Sequence, residues 1–154
     1  MLNLEMQNEI KIIETLIKKN PYNIRHINKE LKNNIDIVKL AVQLNGTALQ
    51  YVSDELKNNY EIIKLAVKQN GYSLQFVSDK FKNNFEIINI AVQNHGYALQ
   101  YASDEFQNNY EIVKLAVQQN KYAFKCASDE LKNNIDIVKL AFPHKYIFTY
   151  QSVN

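Results

Sequence analysis

The sequence has little of several residue types, and each shortage excludes a class of protein. Among 154 residues there are one cysteine, three glycines, two prolines and no tryptophan. The single cysteine, Cys126, cannot form an internal disulfide, which excludes a disulfide-stapled scaffold and fits a reducing compartment. The glycines, Gly46, Gly71 and Gly96, are too far apart for a glycine-rich phosphate-binding loop.

Arginine and long apolar runs are also scarce. Arg25 is the only arginine, so the chain can make almost none of the bidentate contacts to phosphate or guanine that arginine provides. The net charge of +2 is too small to indicate a polyanionic partner. No apolar stretch approaches the roughly 20 residues that cross a bilayer, and residues 1–11 lack the pattern of a secretory signal. We therefore expect a soluble cytoplasmic protein with no membrane partner, and nucleic acid is not a favoured partner.

A repeat of 25 residues organises the chain. A tetrad of Leu or Phe, Lys or Gln, and two asparagines recurs with this spacing, starting at Leu31, Leu56, Phe81, Phe106 and Leu131. Residues 31–41 recur unchanged as residues 131–141. We predict one domain over residues 1–154, with a diverged unit at 1–33, four regular repeats at 34–133, and a truncated repeat with a C-terminal tail at 134–154.

The first half of each repeat predicts an amphipathic α-helix with a wide apolar face. In the first regular repeat the apolar positions are Ile35, Ile37, Val38, Leu40, Ala41 and Val42. Such a helix must pack on several sides, and Ala41 is expected to mark the closest approach between successive first helices. Asn33 or Asn34 suits the N-cap, and Asp36 is placed to complete a capping box. Gly46 follows the helix and is expected to take a left-handed C′ conformation.

The second half of the repeat predicts a shorter helix. Its apolar positions in the first regular repeat are Ala48, Leu49, Val52 and Leu56. Isolated helices of this length are marginal in water, so we predict an all-α fold, an α-solenoid of stacked two-helix repeats. A leucine-rich repeat has a compatible period but needs a strand followed by a buried Asn or Cys. The nearest candidate, Leu49–Val52, is followed by Ser53 and Asp54, which disfavours that alternative.

Two consecutive runs carry a resemblance to a known family. Asn59–Val67 contains acidic-x-Val/Ile-x-x-Ala-Val, and Asn70–Ser78 contains Asn-Gly followed by a variant of Ala-Leu-x-Tyr-Ala-Ser. The pattern, which recurs over about residues 34–141, resembles the repeats catalogued as domain of unknown function four-one-one-six. The resemblance implies an α-helical repeat and supplies no catalytic residue. The first unit departs from the pattern, with Leu16 and Pro21 in place of Ala and Gly.

No set of residues indicates catalysis. His26, His95 and His144 are far apart in the sequence, and none has a second metal ligand at a useful spacing. Cys126 would need a neighbouring base to act as a nucleophile, and no motif provides one. Acidic pairs such as Asp54-Glu55 recur along the chain, which is typical of solvated surface and not of a unique site. We therefore expect no enzyme, no metal site and no cofactor.

The second helices carry the candidate interaction surface. Aromatic residues recur there as i,i+4 pairs with glutamine on the polar side, and stacked repeats would align them as a stripe suited to protein recognition. We define this surface as Tyr72, Gln75, Phe76, Tyr97, Gln100, Tyr101 and Tyr122. The alternative is that the rings pack between repeats and expose only their hydroxyl ends.

These observations favour a non-catalytic scaffold for protein–protein interaction, with a partner that the sequence does not identify. A helical repeat that binds single-stranded nucleic acid is the alternative, suggested by the regular Lys, Gln and Tyr positions. Residues 142–150 leave the repeat while staying apolar and aromatic. This tail either caps the last helices or is the remnant of another repeat, and the chain could also be part of a longer array.

Overall fold

The backbone of the described chain is helical. The computed structural model describes residues 4–143, and within this range it contains α-helices and 3₁₀-helices but no strand. The all-α prediction is thus confirmed for residues 4–143, where a leucine-rich repeat would need strands. No helix in this range is both long and apolar enough to cross a membrane. The tail begins at residue 142, and everything after residue 143 lies outside the described residues, so both explanations for it stay predictions.

Each regular repeat contains three helical segments: an α-helix of ten residues, a 3₁₀-helix of six, and a short helical turn. The α-helices are α1 (Leu4–Lys19), α2 (Ile35–Leu44), α3 (Tyr60–Gln69), α4 (Asp79–Lys82), α5 (Phe85–Asn94), α6 (Asp104–Gln107), α7 (Tyr110–Gln119), α8 (Asp129–Lys132) and α9 (Ile135–Ala141). The 3₁₀-helices are η1 (Pro21–His26), η2 (Leu31–Asn33), η3 (Gly46–Tyr51), η4 (Leu56–Asn58), η5 (Gly71–Phe76), η6 (Gly96–Tyr101) and η7 (Lys121–Cys126).

The chain divides into two compact units, Met1–Ser78 and Asp79–Asn154. In the first unit α2 packs against α1 and α3, while η3 packs against η1 and η5. In the second unit α7 packs against α5 and α9, while η6 packs against η7. Each unit therefore has one layer of α-helices and one layer of 3₁₀-helices. The prediction of one domain over residues 1–154 stays a prediction.

The core comes mainly from four positions of each ten-residue α-helix. In α2 these are Ile37, Val38, Ala41 and Val42, all fully buried, and the equivalent residues of α3, α5 and α7 are buried as well. Each such Ile or Val contributes roughly 1.5 to 3 kcal/mol relative to its exposed state. Because α2 lies between two α-helices and a 3₁₀-helix, most of its apolar face is covered. Ile35 stays 40% exposed and Leu40 is half-buried, so the buried face is narrower than the sequence predicts.

An asparagine begins each of these α-helices. The Asn34 side-chain oxygen accepts hydrogen bonds from the backbone N–H groups of Asp36 at 3.0 Å and Ile37 at 3.2 Å. Asn34 is therefore the N-cap, and Asp36 is the second helical residue. A capping box needs its acidic residue at the third position, so that prediction is wrong. The carboxylate of Asp36 still lies at the positive end of the helix dipole.

Gly46 is required by a close approach and not by its backbone angles. No residue in the described range has a positive φ, so the predicted left-handed conformation is wrong. Asn45 ends α2 in an extended conformation, and Gly46 begins η3. A Cβ atom on Gly46 would lie 2.2 Å from the carbonyl oxygen of Ala66, and one on Gly96 would lie 2.2 Å from that of Ala116. We call the junction between an α-helix and the 3₁₀-helix that follows it the link; in the first regular repeat it consists of Asn45 and Gly46. The recurring alanine therefore lies where an α-helix approaches the link of the preceding repeat.

A glutamine at the end of the following α-helix binds the same link. The N–H of Gly46 donates to Gln69 Oε1 at 2.5 Å, and Gln69 Nε2 donates to the carbonyl of Leu44 at 3.4 Å. Gln119 makes the equivalent bonds in the second unit, at 2.5 and 3.3 Å. One side chain thus satisfies both a helix C-terminal carbonyl and the first N–H of the next helix.

The predicted single second helix is two segments separated by an extended residue. η3 ends at Tyr51, Val52 is extended, and Ser53 leads into the short turn η4. The Ser53 hydroxyl donates to Asn33 of the preceding repeat at 2.7 Å and accepts from Leu56 N–H at 3.3 Å. The serine–asparagine bond recurs from Ser78 to Asn58, from Ser103 to Asn83 and from Ser128 to Asn108. The Ser53–Leu56 bond competes locally with helix continuation, and the bond to Asn33 of the preceding repeat holds the serine in place, so the segment is divided.

Replacing Gly96 by alanine tests the close approach at the link. Gly96→Ala is expected to lower the free energy of unfolding by about 1 to 3 kcal/mol, because the added methyl overlaps the Ala116 carbonyl. Urea unfolding followed by circular dichroism measures the change. Lys121→Ala is the matched control, since position 121 already carries a side chain and is exposed. Equal stability of Gly96→Ala and the native chain would contradict the role given to the glycine.

Ser73 provides a prediction of the opposite sign. It is the only fully buried polar side chain in the described range, and its hydroxyl has no hydrogen-bond partner there. Ala48, Ala98 and Ala123 hold the equivalent position. We expect Ser73→Ala to raise the free energy of unfolding by about 1 kcal/mol, because it removes an unpaired buried hydroxyl.

Ser78→Ala is the control for this experiment, since it removes a hydroxyl that bonds to Asn58 at 2.8 Å. It should lower the free energy of unfolding by about 0.5 to 1.5 kcal/mol. If both serine variants are destabilised, the Ser73 hydroxyl makes a stabilising bond and our account of it fails.

Candidate interaction surface

The seven residues of the candidate interaction surface lie on three 3₁₀-helices. In the first unit, η5 carries Tyr72, Gln75 and Phe76. In the second unit, η6 carries Tyr97, Gln100 and Tyr101, and the adjacent η7 carries Tyr122. The structure thus brings three of the residues together in one unit and four in the other.

Asparagine caps fix the backbone at the start of two of these helices. The Asn70 side-chain oxygen accepts from the Tyr72 N–H at 3.0 Å, and Asn120 accepts from the Tyr122 N–H at 3.0 Å. His95 holds the equivalent place before η6 and makes no side-chain cap bond. The cap bonds to the aromatic residue itself, so its backbone is anchored directly.

The 3₁₀ geometry changes how the side chains are arranged. With three residues per turn, residues i and i+3 lie above one another, whereas residues i and i+4 are rotated by about 120°. Tyr72 therefore shares a face with Gln75, whose Nε2 donates to the Tyr72 carbonyl at 3.1 Å. Tyr72 and Phe76 are four residues apart, so they lie on different faces of η5.

The aromatic residues of the surface differ in exposure. Tyr72, Phe76, Tyr97 and Tyr101 are half-buried, while Tyr122 is 59% exposed. Both glutamines, at positions 75 and 100, are exposed. The four half-buried rings fit the alternative of packing between repeats only in part, because they also retain accessible surface.

A tyrosine pair in the first unit illustrates the packing at the same repeat positions. Tyr22 and Tyr51 meet edge to face with their ring centroids 6.1 Å apart. The Tyr22 hydroxyl lies 2.7 Å from the hydroxyl of Thr47. At these positions Tyr22 and Tyr51 thus contact each other across neighbouring repeats.

Tyr122 is the most accessible ring of the candidate surface. Its N–H is held by Asn120, and the ammonium of Lys121 lies 5.4 Å from its ring centroid. A cation at this distance from a tyrosine ring is attracted by the ring quadrupole. The second unit thus presents an exposed phenol, on an anchored backbone, beside a positive charge.

Cys126 lies on η7 and is half-buried. Burial raises the pKa of its thiol, and the positive charge of Lys132 offsets part of that increase. The thiol therefore stays protonated at neutral pH, which makes it a poor nucleophile. No group of three or more His, Cys, Asp or Glu residues between positions 4 and 143 could hold a metal ion, and His144 lies outside the described residues.

Two open grooves adjoin the α-helices and turns. In the first unit, a groove of about 790 Å³ runs beside Lys29, Asn33, Tyr51 and Glu55. In the second unit, a groove of about 350 Å³ lies between α5 and α7 and includes Phe85.

Phe85 is a surface feature that the sequence pattern did not reveal. It is 57% exposed, because the first residue of each α-helix lies at the edge of the apolar stripe. Ile35 and Ile135, which hold the same position, are 40% and 50% exposed. The sequence does contain a signal of this exposure. The first helix position holds Ile, Tyr or Phe in different repeats, whereas the core positions are nearly constant.

The repeats match one family model along most of the chain. The model described as Domain of unknown function (DUF4116) matches residues 10–57, 37–82, 59–107, 84–132 and 109–142. No curated protein and no solved structure matched the chain. The overlapping matches follow the 25-residue spacing and include the diverged first unit. The chain therefore belongs to the DUF4116 family of helical repeats.

Proposed function

We propose that the chain is a non-catalytic scaffold that binds another protein through its layer of 3₁₀-helices. The observation that carries the proposal is the exposure of Tyr122 on a short helix with a capped N-terminus. Beside it, η6 presents the exposed Gln100 and the half-buried Tyr97. A ring, an amide and a cation are thus available to a partner within one unit.

The chemistry of this surface favours a protein partner. Tyrosine gives a large contact area with few rotatable bonds, so ordering it on binding costs little. It is also enriched among the residues that contribute most to binding energy at protein interfaces. Because Asn120 already holds the Tyr122 backbone, part of the ordering cost is met before binding.

The proposal includes an α-solenoid as the architecture. Within each unit, the long α-helices of consecutive repeats pack against one another, and the bond between Gln69 and Gly46 in the first unit recurs two repeats later as the bond between Gln119 and Gly96. Within each unit the 3₁₀-helices that contact one another form one layer. Solenoids use such layers as binding surfaces.

The proposal of a non-catalytic role is supported by the state of the one thiol. The raised pKa of Cys126 disfavours the thiolate that nucleophilic catalysis would need. The acidic residues Asp54, Asp79 and Asp129 are almost fully exposed and pair with lysines three residues later. Such pairs are worth only a few tenths of a kcal/mol and serve solubility.

A double substitution tests the protein-binding surface. Gln100→Ala/Tyr122→Ala removes two exposed side chains and should leave the helices folded, as a circular dichroism melt would verify. Proteins captured from the native cells by the tagged chain are expected to be lost with this variant, because truncating an interface tyrosine costs about 1 to 2 kcal/mol or more. Quantitative mass spectrometry of the captured proteins measures the loss.

Ile135→Ala is the matched control, because Ile135 is 50% exposed in the same unit but lies on the α-helical layer. It should capture the same proteins as the native chain. If the double variant also captures them all, the proposed surface is not the interface. Single-stranded RNA that binds the native chain, with an affinity that falls steeply as salt rises, would support the nucleic-acid alternative instead.

A further inference from the structure

The groove between α5 and α7 differs from the candidate interaction surface in position and chemistry. It lies on the α-helical layer of the second unit. Phe85 and Asn89 of α5 line one side, and Glu111, Lys114 and Leu115 of α7 line the other. An exposed aromatic ring, a carboxylate and an aliphatic side chain therefore share one depression.

Two other repeats show what normally covers an aromatic ring at this position. The ammonium of Lys64 lies 5.6 Å from the centroid of Tyr60, and that of Lys114 lies 5.6 Å from the centroid of Tyr110. In both cases the lysine follows the tyrosine by four residues on the same helix, which places the two side chains together. Both tyrosines are half-buried.

α5 lacks this internal cation. Its first residue is Phe85, and the residue four positions later is Asn89. The corresponding helices α2, α3, α7 and α9 have lysine at the equivalent positions, 39, 64, 114 and 139. The Phe85 ring packs against Phe106, with the centroids 6.2 Å apart, and remains 57% exposed. The ring therefore has an accessible surface that no cation from its own helix covers.

One acidic and one basic side chain, Glu111 and Lys114, line the groove. Lys114 keeps its positive charge, but its ammonium lies over the Tyr110 ring of its own helix. Glu111 makes no ion pair with any residue in the range 4–143. The groove thus combines a carboxylate that lacks a cationic partner with an aromatic ring, the two groups that best attract a desolvated ammonium or guanidinium.

We propose that this groove binds a lysine or arginine side chain from a partner polypeptide. The cation lies against Phe85 in the place that lysine takes in other repeats, Glu111 pairs with it, and Leu115 contacts the aliphatic stem. This inference rests on the proposed function, since it names the chemistry of one segment of a protein partner. It adds a second contact site, on a different layer of helices.

Selection from a random peptide library displayed on phage tests the proposal. Peptides selected on the full chain are expected to be enriched in Lys or Arg next to apolar residues. Asn89→Lys restores the internal cation and should weaken the binding of the selected peptides about tenfold. The substitution should not disturb the fold, because lysine holds this position in the other repeats. Fluorescence polarisation with labelled peptides measures the change.

Three further variants separate the possible causes. Asn89→Gln adds length without charge and should retain binding, whereas Glu111→Gln should weaken it. The Gln100→Ala/Tyr122→Ala variant should bind these peptides like the native chain. Failure of the groove proposal can therefore be distinguished from failure of the proposal for the candidate interaction surface. The groove proposal is overturned if no peptide is selected, if the selected peptides lack Lys and Arg, or if Asn89→Lys binds them normally.

Discussion

The contact between the link of one repeat and the α-helix of the next is the constraint on which the structure depends. At Gly46 and Gly96 the backbone leaves no room for a Cβ atom, because the carbonyl of the following helix's alanine occupies that space. A glutamine from the same following helix then satisfies the N–H of the glycine. Spacing and orientation are thus set by backbone contact as well as by the burial of side chains, whose shapes are more adaptable.

This constraint separates the parts of the repeat that must stay the same from the parts that can vary. The buried isoleucine, valine and alanine positions are nearly identical in successive repeats, as are the capping asparagines. The differences at exposed or half-exposed places include Phe85 with Asn89, and Lys121, where other repeats have glycine. The groove that we propose includes two such positions, Phe85 and Asn89, whereas Gln100 and Tyr122 of the candidate interaction surface recur in other repeats as Gln75 and Tyr72.

Much of the fold could be predicted from the sequence, because it depends on periodicity. The 25-residue spacing, the wide apolar face of the first helix and an asparagine cap all follow from the pattern of residues around Ile37 and Ala41. The 3₁₀ character of the second segment could not be predicted. Ala48, Leu49 and Val52 fit a period of 3.0 as well as 3.6, and the break at Ser53 depends on a bond to Asn33 in another repeat.

The candidate surface shows the same limit. Sequence spacing identified the aromatic positions, but their exposure depends on what neighbouring repeats cover, as the contact of Tyr22 with Tyr51 shows. The left-handed conformation predicted for Gly46 failed for a related reason. Its requirement comes from Ala66, twenty positions away, and local turn rules do not contain that information.

Amide hydrogen exchange at the links tests the central claim most directly. The N–H groups of Gly46 and Gly96 lie between helices, yet each is bonded to a glutamine of the following helix. We predict protection comparable to that of core helix amides, and selective loss of protection at Gly46 in a Gln69→Ala variant. Exchange of both glycine amides at the rate of an unstructured peptide in the native chain would contradict the account.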